Sequence, residues 1–301
     1  DACARFQPDS KTELDGAMIT TCPKDDKSWW IEMDKLTLDQ YEQEGVGRGA
    51  VLKLGGVPVL GAPWFTFPIT AGRKSGFLAP SFGTSSTRGV DVTLPYYFNI
   101  APNYDYTLTP RVMTKRGLLL GNNARWLNKY FYADVDAQIM PEDKQTKHRR
   151  YGVQANLGGS WNGFWYGINY NQVSDSDYTR DFSTKVRGSL TAILPQDYWI
   201  GYGRDWWHAT LSINKNQTLN IGGQKYDKPY ERAPRLMWSA YVGDLAGFEV
   251  STMLDATRFV HPEKPDGNRF VIDQSIAYPL RGAGWFVTPK ARVTGAWYEL
   301  K

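Results

Sequence analysis

A two-residue period organises most of this chain. In ADVDAQI, Ala133, Val135, Ala137 and Ile139 alternate with Asp134, Asp136 and Gln138. In WYGINYN, Tyr166, Ile168 and Tyr170 alternate with Gly167, Asn169 and Asn171. In HATLSINKN, Ala209, Leu211 and Ile213 alternate with Thr210, Ser212 and Asn214, and in RLMWSAYVG, Leu236, Trp238, Ala240 and Val242 share a face. Such alternation predicts β-strands with one apolar and one polar face. Past residue 104 the strands lengthen to roughly ten residues, and about 12 follow residue 75. Connections alternate in length. Pro102-Asn103, Leu127–Lys129 and Asn162-Gly163 read as tight turns; 141–150, 174–183 and 261–269 read as longer polar loops. Aromatics such as Trp126, Tyr130, Trp161, Trp206, Trp285 and Phe286 fall near strand ends. Long alternating strands, aromatic ends and two loop classes predict an antiparallel transmembrane β-barrel with a polar lumen. Asp134, Asp136, Asn169 and Asn171, with Thr210 and Ser212, are the lumen candidates.

Residues 1 to about 70 read differently: short strand-like runs separated by Gly/Pro turns, too few for a closed barrel, as in one part of a sandwich or jelly roll. In GAVLKLGGVPVLGAP, Val51, Leu54, Val57, Val59 and Leu60 supply apolar positions and Gly55-Gly56 breaks the strand. Between the two regions lies GFLAPSFGTSSTRGVDVTLPYYFNIAP, Gly76 to Pro102, which predicts a hairpin turning at Thr87-Arg88-Gly89. Pro80 and Pro95 flank that turn at about equal distance, so a hairpin puts them at one level. Proline has no N–H for a strand ladder. Two weakened positions at one height predict a sheet made to part there, with Phe82, Tyr96, Tyr97 and Phe98 beside the parting.

Composition sharpens the class. The 301 residues include 12 Trp and 18 Tyr, yet mean hydropathy is −0.48. No apolar run approaches the roughly 18 residues of a membrane helix, whereas barrel strands average out as polar. Net charge is +4, with one basic cluster at Lys144–Arg150 that reads as a solvated loop, so no nucleic-acid partner is expected. His148, His208 and His261 lack metal-ligand spacing and read as solvent or interface residues; no metal or cofactor is expected. Asp175, Asp177 and Asp181 form an acidic cluster in which cation binding is outweighed by a plain solvated loop. No nucleophile motif, phosphate loop or dinucleotide fingerprint occurs, so a non-enzymatic conduit is expected. Cys3 and Cys22 are the disulfide candidates in an oxidising compartment. The chain begins at Asp1 without Met or a signal-peptide pattern, as a mature or excised fragment would.

VPVLGAPWFTFPI, RKSGFLAPSFG, LPYYFNIAPNYDYTLTPR and KRG at 115–117 resemble the most characteristic block of the LptD family of lipopolysaccharide-assembly outer-membrane proteins. TTCP at 20–23, VSDSDYTRDFS at 173–183 and PYERAPRL at 229–236 resemble further family segments. The resemblance implies an all-β chain: residues 1–72 as the C-terminal part of a periplasmic jelly roll, and 73–301 as the N-terminal half of the barrel. It implies lipopolysaccharide as cargo, an LptE-type plug lipoprotein and LptA-type jelly-roll bridge proteins as partners, and the outer membrane as location. Pro80 and Pro95 match the family's lateral-gate prolines. Cys22 matches a jelly-roll cysteine that pairs with one far along the barrel, beyond this sequence; Cys3 pairs with Cys22 or with another distal cysteine. The alternative reading is a generic outer-membrane barrel for hydrophobic solutes, or a porin.

Overall fold

The computed structural model describes residues 3–6, 11–20, 23, 28–69, 72–182 and 192–300. Among them the fold is all-β apart from one five-residue helix and one 3-10 turn at 221–223. Among the described residues no helix is long and apolar enough to cross a membrane. The chain divides into two compact units, Asp1–Thr114 and Lys115–Lys301.

The first unit opens with a five-stranded antiparallel meander: β1 (Cys3–Phe6), β2 (Lys11–Ile19), β3 (Trp29–Asp39), β4 (Glu44–Leu54) and β5 (Val57–Pro68). Its core is Ala17, Met33, Leu36 and Ala50, backed by Ile31, Phe65 and Phe67. The inward side changes parity within the strands. In β3 it passes from Ile31 and Met33 to Leu36 and Leu38, and in β4 from Gly45 and Gly47 to Ala50 and Leu52. The switch falls where Gly16 and Gly49 adopt φ of 70° and 60°, a region open to glycine. A Cβ on Gly49 would lie 1.9 Å from Asp34 Oδ2, so a larger residue would have to displace that carboxylate as well as adopt a left-handed backbone. Val57 and Val59, apolar in the sequence, are exposed; Ala50, Leu52, Ala62 and the two phenylalanines make the enclosed side.

Five more strands complete this unit: β6 (Gly76–Phe77), β7 (Ser81–Ser85), β8 (Gly89–Thr93), β9 (Tyr96–Ala101) and β10 (Tyr104–Met113). β6 and β7 are two pieces of one strand, interrupted at Leu78–Pro80; β8 and β9 are two pieces of the next, interrupted at Leu94–Pro95. The hairpin turns at 86–88, one residue ahead of the expected Thr87-Arg88-Gly89, with Gly89 opening β8. β7 pairs with β8 and β6 with β9, while β10 pairs with both β8 and β9.

The second unit is an antiparallel run in chain order: β11 (Gly117–Leu127), β12 (Phe131–Met140), β13 (Arg150–Trp161), β14 (Phe164–Val173), β15 (Ile193–Arg204), β16 (Trp207–Thr218), β17 (Glu231–Leu245), β18 (Phe248–Val260) and β19 (Gly267–Ala277). Helix α1 (Tyr178–Phe182) follows β14. A small hairpin, β20 (Leu280–Gly282) with β21 (Trp285–Val287), precedes β22 (Lys290–Leu300), which pairs with β19. These ten long strands have 10 to 15 residues, enough for a tilted membrane strand of about 9–11. Short turns at 128–130, 162–163, 205–206 and 246–247 alternate with longer connections.

Pairing register separates the two faces. One row joins Ile200, Leu211, Leu236, Ala256, Phe270 and Trp297 across six strands, and its large members are 42 to 58% exposed. A contiguous apolar band that wide does not belong in water. The opposite face is a ladder of polar contacts. Asn123 donates to Asp134 and Asp136 (2.8 and 3.0 Å), Asn214 to Asp197 (2.9 Å), and Arg235 Nε to Asp255 (2.7 Å).

Candidate functional site

The interruption in the first two strands is asymmetric. From Ser81↔Thr93 to Phe77↔Tyr96 the partner sum changes by one, so Leu78, Ala79 and Pro80 oppose only Leu94 and Pro95. Such a three-against-two step is a local bulge. The second strand's pairing with β10 keeps one register through the same level, from Thr93↔Arg111 to Tyr96↔Leu108. Leu94 N–H still donates to the Pro110 carbonyl (3.1 Å), and Leu78 N–H to the Pro95 carbonyl (2.9 Å). The discontinuity is thus confined to the first pair. Pro80 and Pro95 lie within one residue of the same level, and neither can supply a ladder donor.

The break opens on an apolar hollow of about 260 Å³. Ile31, Leu52, Ala62, Phe65 and Phe67 line it from the five-stranded sheet; Phe77, Leu78, Pro80 and Leu94 line it from the break. Gly76 makes this approach possible, because a Cβ there would come within 2.8 Å of the Thr66 carbonyl oxygen. Of the predicted aromatic group, Tyr96 and Phe98 pack at a tilt (4.6 Å) and continue to Phe77 (4.9 Å) and Tyr106 (5.6 Å). Phe82 shares that face through its pairing with Val92. Tyr97 does not join them. Its hydroxyl accepts from Arg73 Nε (2.9 Å) and donates to Asp105 (3.1 Å) on the opposite face. Arg73 also donates to the Pro102 carbonyl (2.9 Å) and forms an ion pair with the buried Asp105, and Asn99 donates to the Arg73 carbonyl (2.7 Å). This clasp fixes 73–75 to β9 and β10 just ahead of the break.

The polar face of the second unit carries the predicted lumen residues. Asp134, Asn156, Asn169 and Asp197 form one row, and Asp136, Gln154 and Asn171 the next. Asn171 is fully buried, donating to Asn169 (3.0 Å) and to the Pro195 carbonyl (3.0 Å).

At the long-loop end the acidic cluster is not a solvated loop. Tyr178 and Phe182 of α1 are fully buried, packed edge-on at 4.9 Å. Asp181 meets Arg116 (3.0 Å) and Arg150 (2.7 Å); Asp143 meets the same two guanidiniums (2.7 and 3.0 Å); Asp175 meets Arg150 (2.6 Å). Arg150 lies 4.8 Å over the Phe182 ring. The Tyr178 hydroxyl donates to Gln138 (3.0 Å), and the ring covers Gly152, where a Cβ would sit 2.7 Å away. Gln138 and Gly152 pair on the polar face, so the segment is folded over that face. Burial works against the Asp143 carboxylate, but the Gln145 amide and the Arg116 and Arg150 guanidiniums outweigh it and hold its carboxyl below the usual range. Asp175 is likewise held low: burial opposes its charge, and Arg150 and Ser174 overcome that opposition. Arg150, read as part of a solvated basic cluster, is buried for this reason. His261 is buried too, against the Lys228 carbonyl (2.8 Å) and the Tyr230 ring (4.9 Å). His208 touches Ser239 (2.6 Å), and His148 is exposed. Cys22 lies outside the described residues, and Cys3 is described only as a backbone position of β1. No cluster with metal-ligand character occurs among the described residues.

Two family models match: LPS transport system D over residues 148–301, and LptD protein over 46–198. The LPS-assembly protein LptD of Cupriavidus pinatubonensis is 37% identical over 98% of this chain and 37% of its own length. That of Ralstonia nicotianae is 37% identical over 93% of this chain and 35% of its own length, and that of Chromobacterium violaceum 34% identical over 98% and 38%. The chain therefore spans somewhat over a third of the length of these curated relatives. Taken with an all-β architecture of a small meander sheet and long two-faced strands, these matches mean that the chain belongs to the LptD family, LPS transport system D.

Proposed function

We propose that this chain moves lipopolysaccharide into the outer leaflet of the outer membrane. Residues 1–72 act as a periplasmic jelly-roll segment and 73–301 as the leading strands of the barrel. Acyl chains ride on the enclosed face of the five-stranded sheet, sugars cross along the polar face of the barrel strands, and the molecule leaves sideways at Pro80 and Pro95. The observation that carries this is the meeting of an apolar hollow with a paired strand break. An amphiphile with several acyl chains and a large anionic head needs an apolar groove, a hydrated passage and a lateral seam. The role is transport rather than catalysis. Phe82, Tyr96 and Phe98 face the acyl chains, whereas Tyr97 holds the clasp. Asp134, Asp136 and Asn169 hydrate the lumen, with Asn171 buried beneath that face; an LptE-type lipoprotein plugs the barrel, and LptA-type jelly rolls deliver the cargo.

The test is photocrosslinking in cells from Phe77, Leu78, Phe82, Tyr96 and Phe98, combined with Pro80→Ala/Pro95→Ala. Adducts to lipopolysaccharide are expected at all five positions. Two restored ladder donors, at about 0.5–1.5 kcal/mol each, should slow release by roughly tenfold. Absence of adducts, together with unchanged surface lipopolysaccharide and antibiotic permeability in the double variant, would refute the reading.

A further inference from the structure

The polar face carries an aromatic pattern that lipid passage leaves unused. Tyr132, Trp199 and Trp165 each lie across a glycine of a neighbouring strand. A Cβ on Gly167 would fall 2.1, 2.6 and 2.7 Å from three atoms of the Trp199 ring. One on Gly201 would fall 2.2 to 2.4 Å from three atoms of the Trp165 ring, and one on Gly158 3.0 to 3.1 Å from Tyr132 Cε1, Cζ and the hydroxyl oxygen. Several ring atoms at similar distance mean that the ring face, not its edge, covers the glycine. The missing side chains let the rings lie against the wall.

Tyr132, Gly158, Gly167 and Trp199 form a single register row across β12 to β15, and Trp165 with Gly201 belongs to the next row toward the short turns. On the other side of the first row run Asp134, Asn156, Asn169 and Asp197. Tyr132 is 48% exposed, and both tryptophans are half-buried. Rings that cover glycines stabilise a sheet. That accounts for one face of each ring and leaves the other turned to a polar passage lined with amides and carboxylates. A pyranose ring complements this pairing. Its C–H face stacks on an aromatic plane, and its hydroxyls reach amides and carboxylates one row away. Tyr132 and Trp199 are three strands apart, roughly 14 Å, which spaces them for different rings of one oligosaccharide.

We propose that Tyr132, Trp165 and Trp199 are stacking platforms for the pyranose rings of the lipopolysaccharide head group, with Asn156, Asn169 and Asp197 taking ring hydroxyls. This rests on the transport reading above. The probe is lipid-free core oligosaccharide, titrated calorimetrically into the native protein in detergent. Trp165→Leu/Trp199→Leu should weaken binding about tenfold, while Trp165→Phe/Trp199→Phe stays nearer the parent. Asn156→Leu/Asn169→Leu should weaken it with every ring intact, which keeps the test valid if the leucine variant fails to fold. Parental affinity in the folded leucine variant overturns the platform. So does no saccharide binding by the parent while lipopolysaccharide still crosslinks at Phe77 and Leu78, an outcome that leaves the transport reading standing. Loss of those adducts as well overturns the transport reading itself. Unchanged saccharide affinity with loss of a co-purifying protein assigns the face to a protein partner and overturns the proposal.

Discussion

Replacing Arg150 by methionine removes one guanidinium on which three carboxylates converge. The side chain is 3% exposed and reaches Asp181 at 2.7 Å, Asp143 at 3.0 Å and Asp175 at 2.6 Å. Methionine keeps an apolar stem against Phe182 and takes away the charge, leaving Arg116 to serve both Asp143 and Asp181. Uncovering one side of a buried ion pair costs about 3–5 kcal/mol. Asp175 adds little, because it is more than a third exposed and water screens it. The loss is local, so it appears as opening of the segment around α1: about 3–5 kcal/mol is a shift of roughly a hundredfold to several thousandfold. Amide hydrogen exchange measures this directly. Tyr178 N–H, bonded to the Asp175 carbonyl (3.2 Å), and Asp181 N–H, bonded to the Asp177 carbonyl (2.9 Å), should exchange faster by that factor. Amides of Val153 to Leu157 in β13 should keep their protection. Adding Asp181→Asn should recover much of the loss, since Arg116 and Asp143 then remain as one matched pair. Unchanged exchange at Tyr178 and Asp181, or equal acceleration throughout β13 and β14, would refute the reasoning.

Acid should loosen the same segment. The Asp143 and Asp175 carboxyls are held below their ordinary value in the folded state, so their contribution is complete above that ordinary value, near pH 4, and disappears as pH falls through the depressed folded values. Protection at Tyr178 is therefore expected to be flat from pH 8 to about 5 and to fall below about 4; a loss between pH 7 and 6 would contradict this. Gly152→Ala should displace the Tyr178 ring and release the segment without touching a charge, seen as faster exchange at Tyr178 with Arg150 intact. Arg73→Ala removes a half-exposed, water-screened cation from the buried Asp105, which keeps the Tyr97 hydroxyl, and should cost about 1 kcal/mol at the clasp. Its readout is protease nicking near residue 73 with β13 protection unchanged; an uncut chain would count against the clasp.

Much of this fold is legible from period alone. The faces of β12, β14, β16 and β17 follow from alternation, and the hairpin with its paired interruptions follows from two prolines equidistant from a turn. The same rule separates Tyr97 from Tyr96 and Phe98, since neighbours in a strand face opposite ways. Grouping all three by residue type ignores it. The parity switch at Gly16, Asp34 and Gly49 escapes a period-two reading because two left-handed glycines reset the alternation. The buried segment escapes for another reason. DSDYTRDF is polar by local composition, and its burial depends on Arg116, just before β11, and Arg150, at the start of β13. One local signal exists: Tyr178 and Phe182 stand four apart, the spacing of a one-turn helix with an apolar side. His261 gives no local signal, because its burial comes from the Lys228 carbonyl and Tyr230 across a connection.

The ion network also has a consequence for biogenesis. Its members come from the residue before β11, the loop after β12, the first residue of β13 and the stretch after β14. While strands are being laid down in order, Arg116 meets Asp143 only after β12 is paired, and Arg150 meets Asp181 only after β14 is in place. Until then these charges must stay in water, since burying any of them unpaired is prohibitive. The segment can close only over a correctly registered β11–β14 wall, because a one-residue slip turns Gln138 and Gly152 to the other face. The closed segment thus reports on the register of the wall beneath it: a misregistered wall leaves Tyr178 and Phe182 exposed.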